Sequence, residues 1–217
     1  MQNHLTNISN QLTLAIHSTD NTFGFAYRKK SNLETDNLFI KKFDKDLCNN
    51  LIADFNEFIP KENLKRVKKI SVSIGPANFN ASRLIVVLAR TISQQINCPL
   101  ESFSSFELMS KRIALRNNIY KHNKSFWIYK KLKRKGFIAG KYKVCISEKE
   151  NKKLVLKEKV IPKVVQALDN KEPNFQANYD DEADLKELLN LSNNNLKLSH
   201  FKSWEKVLPL YPISPIN

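Results

Sequence analysis

The sequence predicts an α/β fold in which helices lie against a mixed sheet. Three observations carry this expectation. Short apolar runs of strand length alternate with longer stretches of helical period, turn residues separate them, and the first half runs strand, strand, strand, helix, strand, helix, strand, helix. Leu12 to Ile16 is the first such run, and Thr22 to Arg28 alternates bulky and small residues. The turn-forming Ser18-Thr19-Asp20-Asn21 between them makes the pair a hairpin. A third strand is expected across Asn37 to Phe43. Leu47, Leu51, Phe55 and Phe58 then recur at spacings of four and three, the period of a helix. Pro60 ends that helix, because the residue before a proline is pushed out of the helical region. Val67 to Ile74 reads as the fourth strand, stopped by Gly75-Pro76, and a helix follows from Ala81 to Asn97. Leu100 to Phe103 is short and extended, and Ser104 or Ser105 caps the next helix, with Glu107 three residues after Ser104 in a capping-box arrangement.

In the second half, Phe126 to Tyr129, Gly136 to Ser147 and Lys153 to Val160 read as strands of a meander with Lys-rich turns. Pro162 to Leu168 and Glu182 to Leu191 are expected as short helices. Pro209, Pro212 and Pro215 hold the tail from Trp204 to Ile216 extended. A chain of 217 residues suits one domain of two lobes. The expected division is a flexible N-terminus over 1–11, a first lobe over 12–117, and a smaller second lobe with the Pro-rich tail over 118–217.

Composition narrows the class. Hydrophobic residues at 41% and aromatics at 10% are enough for a folded core. The longest apolar run, Leu84 to Ala89, is far too short to span a membrane. Met1 to Gln11 is polar, without the basic-then-apolar order of a secretion signal. Cys48, Cys98 and Cys145 are an odd, scattered set that suggests no disulfide framework and fits a reducing cytoplasm. The net charge of +15 is concentrated: residues 111–159 hold 17 basic and 3 acidic side chains. Such a field attracts polyanions such as RNA, and Tyr120, Phe126, Trp127, Tyr129, Phe137 and Tyr142 interleave with the lysines as stacking platforms do. The same pattern also serves a solubilising face over alternating core strands, and the sequence leaves both readings open.

The residues give no positive sign of a catalytic centre. The four glycines, Gly24, Gly75, Gly136 and Gly140, cannot form a dinucleotide fingerprint or a phosphate loop. No nucleophile elbow or zinc-binding helix motif is present, and His4, His17, His122 and His200 stand apart from one another and from the cysteines. No metal or cofactor is expected.

The segment Ile70 to Glu107, ISVSIGPANFNASRLIVVLARTISQQINCPLESFSSFE, resembles the hallmark of the TsaB (YeaZ) family. That hallmark is a strand, a GPGSFTGLR-type turn, a helix, an "IPL" strand and an "SSLE" helix start. Gly75, Pro76, Phe79 and Arg83 match the turn, whereas Ala77, Asn78, Asn80, Ala81, Ser82 and Leu84 depart from it. Leu12 to Thr19 is similar to the family's opening strand, and Leu208-Pro209-Leu210-Tyr211 to its closing tail.

The resemblance implies an actin-like, sugar-kinase-like (ASKHA, ribonuclease H-like) fold with a reduced second lobe. It implies a non-catalytic subunit that binds a TsaD-like catalytic subunit, works beside a TsaE-like ATPase, and supports threonylcarbamoyl transfer to adenosine in tRNA. A homodimer is a further implied state. In active relatives of the fold an aspartate on the first strand helps hold a nucleotide-bound metal; here that position is His17, whose neutral imidazole suits neither Mg²⁺ nor phosphate transfer. Leu84 to Ala89 make the second helix apolar on every side, so it needs cover on more than one face. In the family the corresponding two helices contact TsaD, which makes Leu51, Phe55, Leu84, Val87 and Leu88 the candidate contact residues. Burial by other helices of the same chain is the alternative. Gly75 to Arg83 reads either as a turn whose amides face a ligand or partner, or as one that seats the helix with Phe79 in the core. Lys130, Lys131, Lys133 and Arg134 are the candidates to face tRNA. The rival readings are a stand-alone basic RNA-binding protein and an active kinase or peptidase of the same fold.

Overall fold

A computed structural model describes residues 10–30, 32–43, 47–132, 136–147, 153–194 and 204–211. Nine strands in two sheets and five α-helices lie among them. Contacts divide the chain into two compact units, Met1–Phe103 with Asp181–Leu210, and Ser104–Asp180 with Tyr211–Asn217.

The first unit contains β1 (Leu12–Ser18), β2 (Thr22–Lys29), β3 (Asn32–Lys42), α1 (Leu47–Phe58), α2 (Lys61–Leu64), β4 (Val67–Ser73), α3 (Phe79–Ile96) and β5 (Leu100–Phe103). Its sheet has the order β3-β2-β1-β4-β5. The hairpin turns make β1, β2 and β3 antiparallel neighbours, and the helical crossovers make β4 and β5 parallel to β1.

Strand alternation sorts the two faces of this sheet. Leu12, Leu14 and Ile16 of β1, Phe23 and Phe25 of β2, and Ile70 and Val72 of β4 join Leu51 and Phe55 of α1 and Ile85, Leu88 and Ala89 of α3 in one core. The intervening residues face a helix that the chain adds near its end, labelled α5 (Asp181–Asn194) below. On that side Arg28 bonds Asn190, Thr22 bonds Asp181, and Lys69 bonds the Ser192 carbonyl. Gly24 is required there: a Cβ would sit 2.8 Å from Leu185 Cδ1 and 2.9 Å from the Phe39 carbonyl oxygen. Leu185, Leu188 and Leu189 are buried by this packing, so the sheet is covered on both faces.

The second unit contains α4 (Ser105–Arg116), a 3-10 turn (Ile119–His122), β6 (Ser125–Lys131), β7 (Phe137–Ser147), β8 (Lys153–Val165) and β9 (Asn174–Gln176), before α5 returns to the first. Its sheet has the order β8-β7-β6-β9, an antiparallel meander with β9 added parallel to β6. Ser104 caps α4, its hydroxyl accepting the Glu107 N–H at 3.0 Å, as the capping-box spacing predicts. Phe106, Met109 and Ile113 of α4 pack with Phe126, Ile128, Tyr142 and Val144.

Several expectations differ from this structure. The sequence division at 117/118 leaves α4 in the first lobe and α5 in the second; the compact units group them the other way, because α4 is buried against the meander and α5 against the first sheet. The helix expected at Pro162 to Leu168 is instead the end of β8, which continues to Val165. Pro162 is tolerated because β8 is an edge strand, where a missing N–H need cost no ladder bond. Trp204–Lys206 forms a 3-10 turn rather than extended chain, and Pro212 and Pro215 lie outside the described residues. So does most of the segment 1–11.

Candidate protein-docking site

α3 starts from a turn that is held on two sides. Gly75 has φ +97°, a conformation that suits glycine, and the Gly75–Pro76 peptide is cis. Asn78 caps the helix: its side-chain oxygen accepts the Asn80 N–H at 3.0 Å and the Ala81 N–H at 3.2 Å. The Asn78 N–H reaches the Thr19 carbonyl at the end of β1, and the Leu210 N–H donates to the Ile74 carbonyl at 2.7 Å. The strand end, the helix start and the closing segment are thereby fixed to one another.

The helix buries Ala81, Ile85, Val86, Leu88, Ala89 and Ile92. Its opposite side presents Asn80, Arg83, Leu84 and Val87, which line an open groove of about 350 Å³. Their spacing of three, four and seven residues from Asn80 is that of one helical face. Val87 is 54% exposed, high for an aliphatic side chain in the middle of an 18-residue helix.

The candidate contact residues therefore separate. Leu51 and Phe55 are 3% exposed and Leu88 8%, all within the chain's own core. Phe55 lies edge-on to Phe25 with ring centroids 5.2 Å apart. Only Val87 and, in part, Leu84 face outward, with Arg83 beside them. Gly75 and Pro76 are buried. Phe79 is 39% exposed rather than plugged into the core. Sequence reasoning missed Asn80 as part of the face, although its helical spacing to Val87 was the available signal. It also passed over Ile52 of α1, which is 52% exposed.

His17 lies at the other face of the sheet. Strand alternation places it with Thr13 and Ala15 on the α5 side, opposite Gly24 in the ladder. It is 1% exposed, and neither ring nitrogen has a hydrogen-bond partner among the described residues. Burial pushes its pKa down to about 4, which keeps the imidazole neutral. Among the described residues no group of three histidine, cysteine, aspartate or glutamate side chains could hold a metal ion.

In the basic region, Lys130 places its ammonium 5.6 Å from the centre of the Tyr179 ring, and Lys131 is exposed. Lys133 and Arg134 lie outside the described residues.

No protein-family model matches the sequence, and no curated protein matches it significantly. Solved structures do match. YeaZ from Pseudomonas aeruginosa superposes with a TM-score of 0.63 at 15% identity, over 93% of this chain and 99% of its own. The fold is that of YeaZ. A second structure, of an uncharacterized protein with similarity to peptidase YeaZ from Pseudomonas aeruginosa, gives the same TM-score and identity over 94% of this chain and 100% of its own.

The expected α/β class, with helices against a mixed sheet, thus holds. In this YeaZ-like fold the segment Ile70 to Glu107, which carries the sequence resemblance, is most of β4, the capped turn, α3, β5 and the start of α4. Among the described residues no helix is long and apolar enough to cross a membrane.

Proposed function

We propose that this chain is a non-catalytic subunit that docks a TsaD-like catalytic subunit through the outward face of α3, and so supports threonylcarbamoyl transfer to tRNA adenosine. A TsaE-like ATPase is the further partner this role implies, and tRNA is met through the assembled complex. The observation that carries the reading is the row Asn80, Arg83, Leu84 and Val87: an apolar strip with a polar end on a helix whose other side is already fully packed. The YeaZ-like fold and the motif residues Gly75, Pro76, Phe79 and Arg83 support it. This reading moves the contact away from Leu51, Phe55 and Leu88, which hold the chain itself together.

The test uses the cognate TsaD-like subunit. Val87→Glu should leave the thermal melt nearly unchanged, since the side chain is already more than half exposed, and should weaken the complex at least tenfold, about 1.4 kcal/mol or more, by burying a carboxylate in the contact. Unchanged affinity measured by calorimetry would remove α3 from the interface.

The non-catalytic part of the proposal has its own measurement. The purified chain should show no magnesium-dependent ATP turnover, because the position His17 occupies is closed to solvent and offers a neutral nitrogen in place of an oxygen ligand. Turnover that disappears in His17→Ala would replace the subunit with an enzyme.

A further inference from the structure

The second unit carries a groove of about 240 Å³ between the end of α4 and the sheet edge. One wall presents Arg112 and Arg116, one helical turn apart, with Asn117 just beyond; the other presents Phe175, Gln176 and Asn178. Arg112 is oriented along it, its Nη2 donating to the Asn178 carbonyl at 3.0 Å. Arg116 is exposed. Phe175 is anchored edge-on against Phe126 with centroids 5.9 Å apart, which leaves a partly buried ring at the groove.

The backbone adds to this lining. Trp127 N–H donates to the Pro173 carbonyl, and Ala177 N–H donates to the Tyr129 carbonyl. By alternation along a parallel strand, the main-chain N–H and C=O of Gln176 then point away from β6, toward the open edge. The groove thus combines forked cationic donors, an aromatic ring, and amide groups able both to donate and to accept. Beyond Asn178 the pattern repeats, with Lys130 over the face of Tyr179.

We propose that this groove binds single-stranded nucleic acid, with Arg112 and Arg116 holding backbone phosphate and Phe175 supporting a base. Guanidinium forks match phosphate oxygens, and bases stack on exposed aromatic faces with little sequence preference. An acidic peptide would match the arginines and the strand edge, but its carboxylates offer no planar face to stack on the ring. The stretch of chain that builds most of this unit is strongly basic, with 17 of the 49 side chains between 111 and 159 basic, which favours a polyanion over a single carboxylate. The site is independent of the α3 face, and each can fail without the other.

The test is fluorescence anisotropy at low salt with a short labelled single-stranded RNA, the same sequence as single-stranded DNA, and unlabelled polyglutamate as competitor. Arg112→Gln with Arg116→Gln should weaken binding of the single strands at least tenfold. Lys157→Gln with Lys159→Gln on β8, which removes the same charge from another exposed position, should change it less than about threefold. The log–log salt dependence should become shallower by about 0.7 for each phosphate no longer neutralised. Because Arg112 also bonds the Asn178 carbonyl, Arg116→Gln alone provides a second variant, and both are checked by thermal melting. Phe175→Leu should weaken binding several-fold without altering the salt slope. Equal losses in the two charge-matched pairs, competition by polyglutamate as strong as by unlabelled RNA, or no binding at low salt would each overturn the assignment.

Discussion

Phe55→Ala is expected to destabilise the folded chain by about 3–5 kcal/mol, whereas Val87→Ala stays within about 0.5 kcal/mol. Both are apolar residues on helices that pack on the same face of the first sheet. Phe55 is 3% exposed, edge-on to Phe25, and inside a cluster that also contains Phe39 and Phe58. Removing its ring forfeits the burial and leaves a cavity that rigid strands cannot close. Val87 meets solvent over half its surface, and alanine is a good helix former. Urea unfolding with an unchanged slope gives both values from shifts in midpoint. A loss under 1 kcal/mol for Phe55→Ala would mean that the α1 packing described above is not what holds the sheet.

A second large effect is expected from acid. His17 titrates near 6.5 when unfolded and is pushed down to about 4 by burial when folded. The unfolded chain therefore binds the proton first, and stability falls as pH drops from about 6.5 toward 4. The two values differ by about 2.5 units, or roughly 3 kcal/mol in full. Carboxylates titrate in the lower part of this window, so the informative quantity is the difference between wild type and His17→Leu. The two stability curves should run parallel above pH 7, and the wild-type curve should fall more steeply on acidification, because only the wild type loses this contribution. Parallel curves down to pH 4 would show that the imidazole is protonated, or solvated, in the folded state.

The fold was legible where the chain signals its own period. α1, α3, the capped α4 and the β1–β2 hairpin follow from apolar spacing, Pro60, the Ser104–Glu107 box and the turn at 18–21. Edges were harder. Pro162 reads as a break in a strand, yet an edge strand need not form the bond that proline lacks. β9 is three residues long and has no period to detect. The outward face of α3 was half legible: the apolar helix was evident, but which of Val87, Leu88, Leu51 and Phe55 faces outward depends on where the sheet lies. The resemblance supplied a set of contact residues, and the packing reassigned three of the five to the core. The Arg112–Arg116 groove was hidden for a different reason. Its walls are about 60 residues apart in sequence, and only the parallel pairing of β9 with β6 brings them together.

The return of α5 to the first sheet has a consequence for the order in which the protein is made. A ribosome delivers β1 to β5 first, then the entire second unit, and only afterwards the helix that covers Gly24, His17 and the serines of β4. Until residue 181 has left the exit tunnel, that side of the newborn sheet is without its lid, and the early strands can be no more than provisionally assembled. Units made from one continuous stretch can fold as they emerge; this one is completed only after the whole second unit has been made. A stalled or prematurely terminated chain ending before Asp181 would leave one face of this sheet uncovered, an inviting target for quality-control proteases.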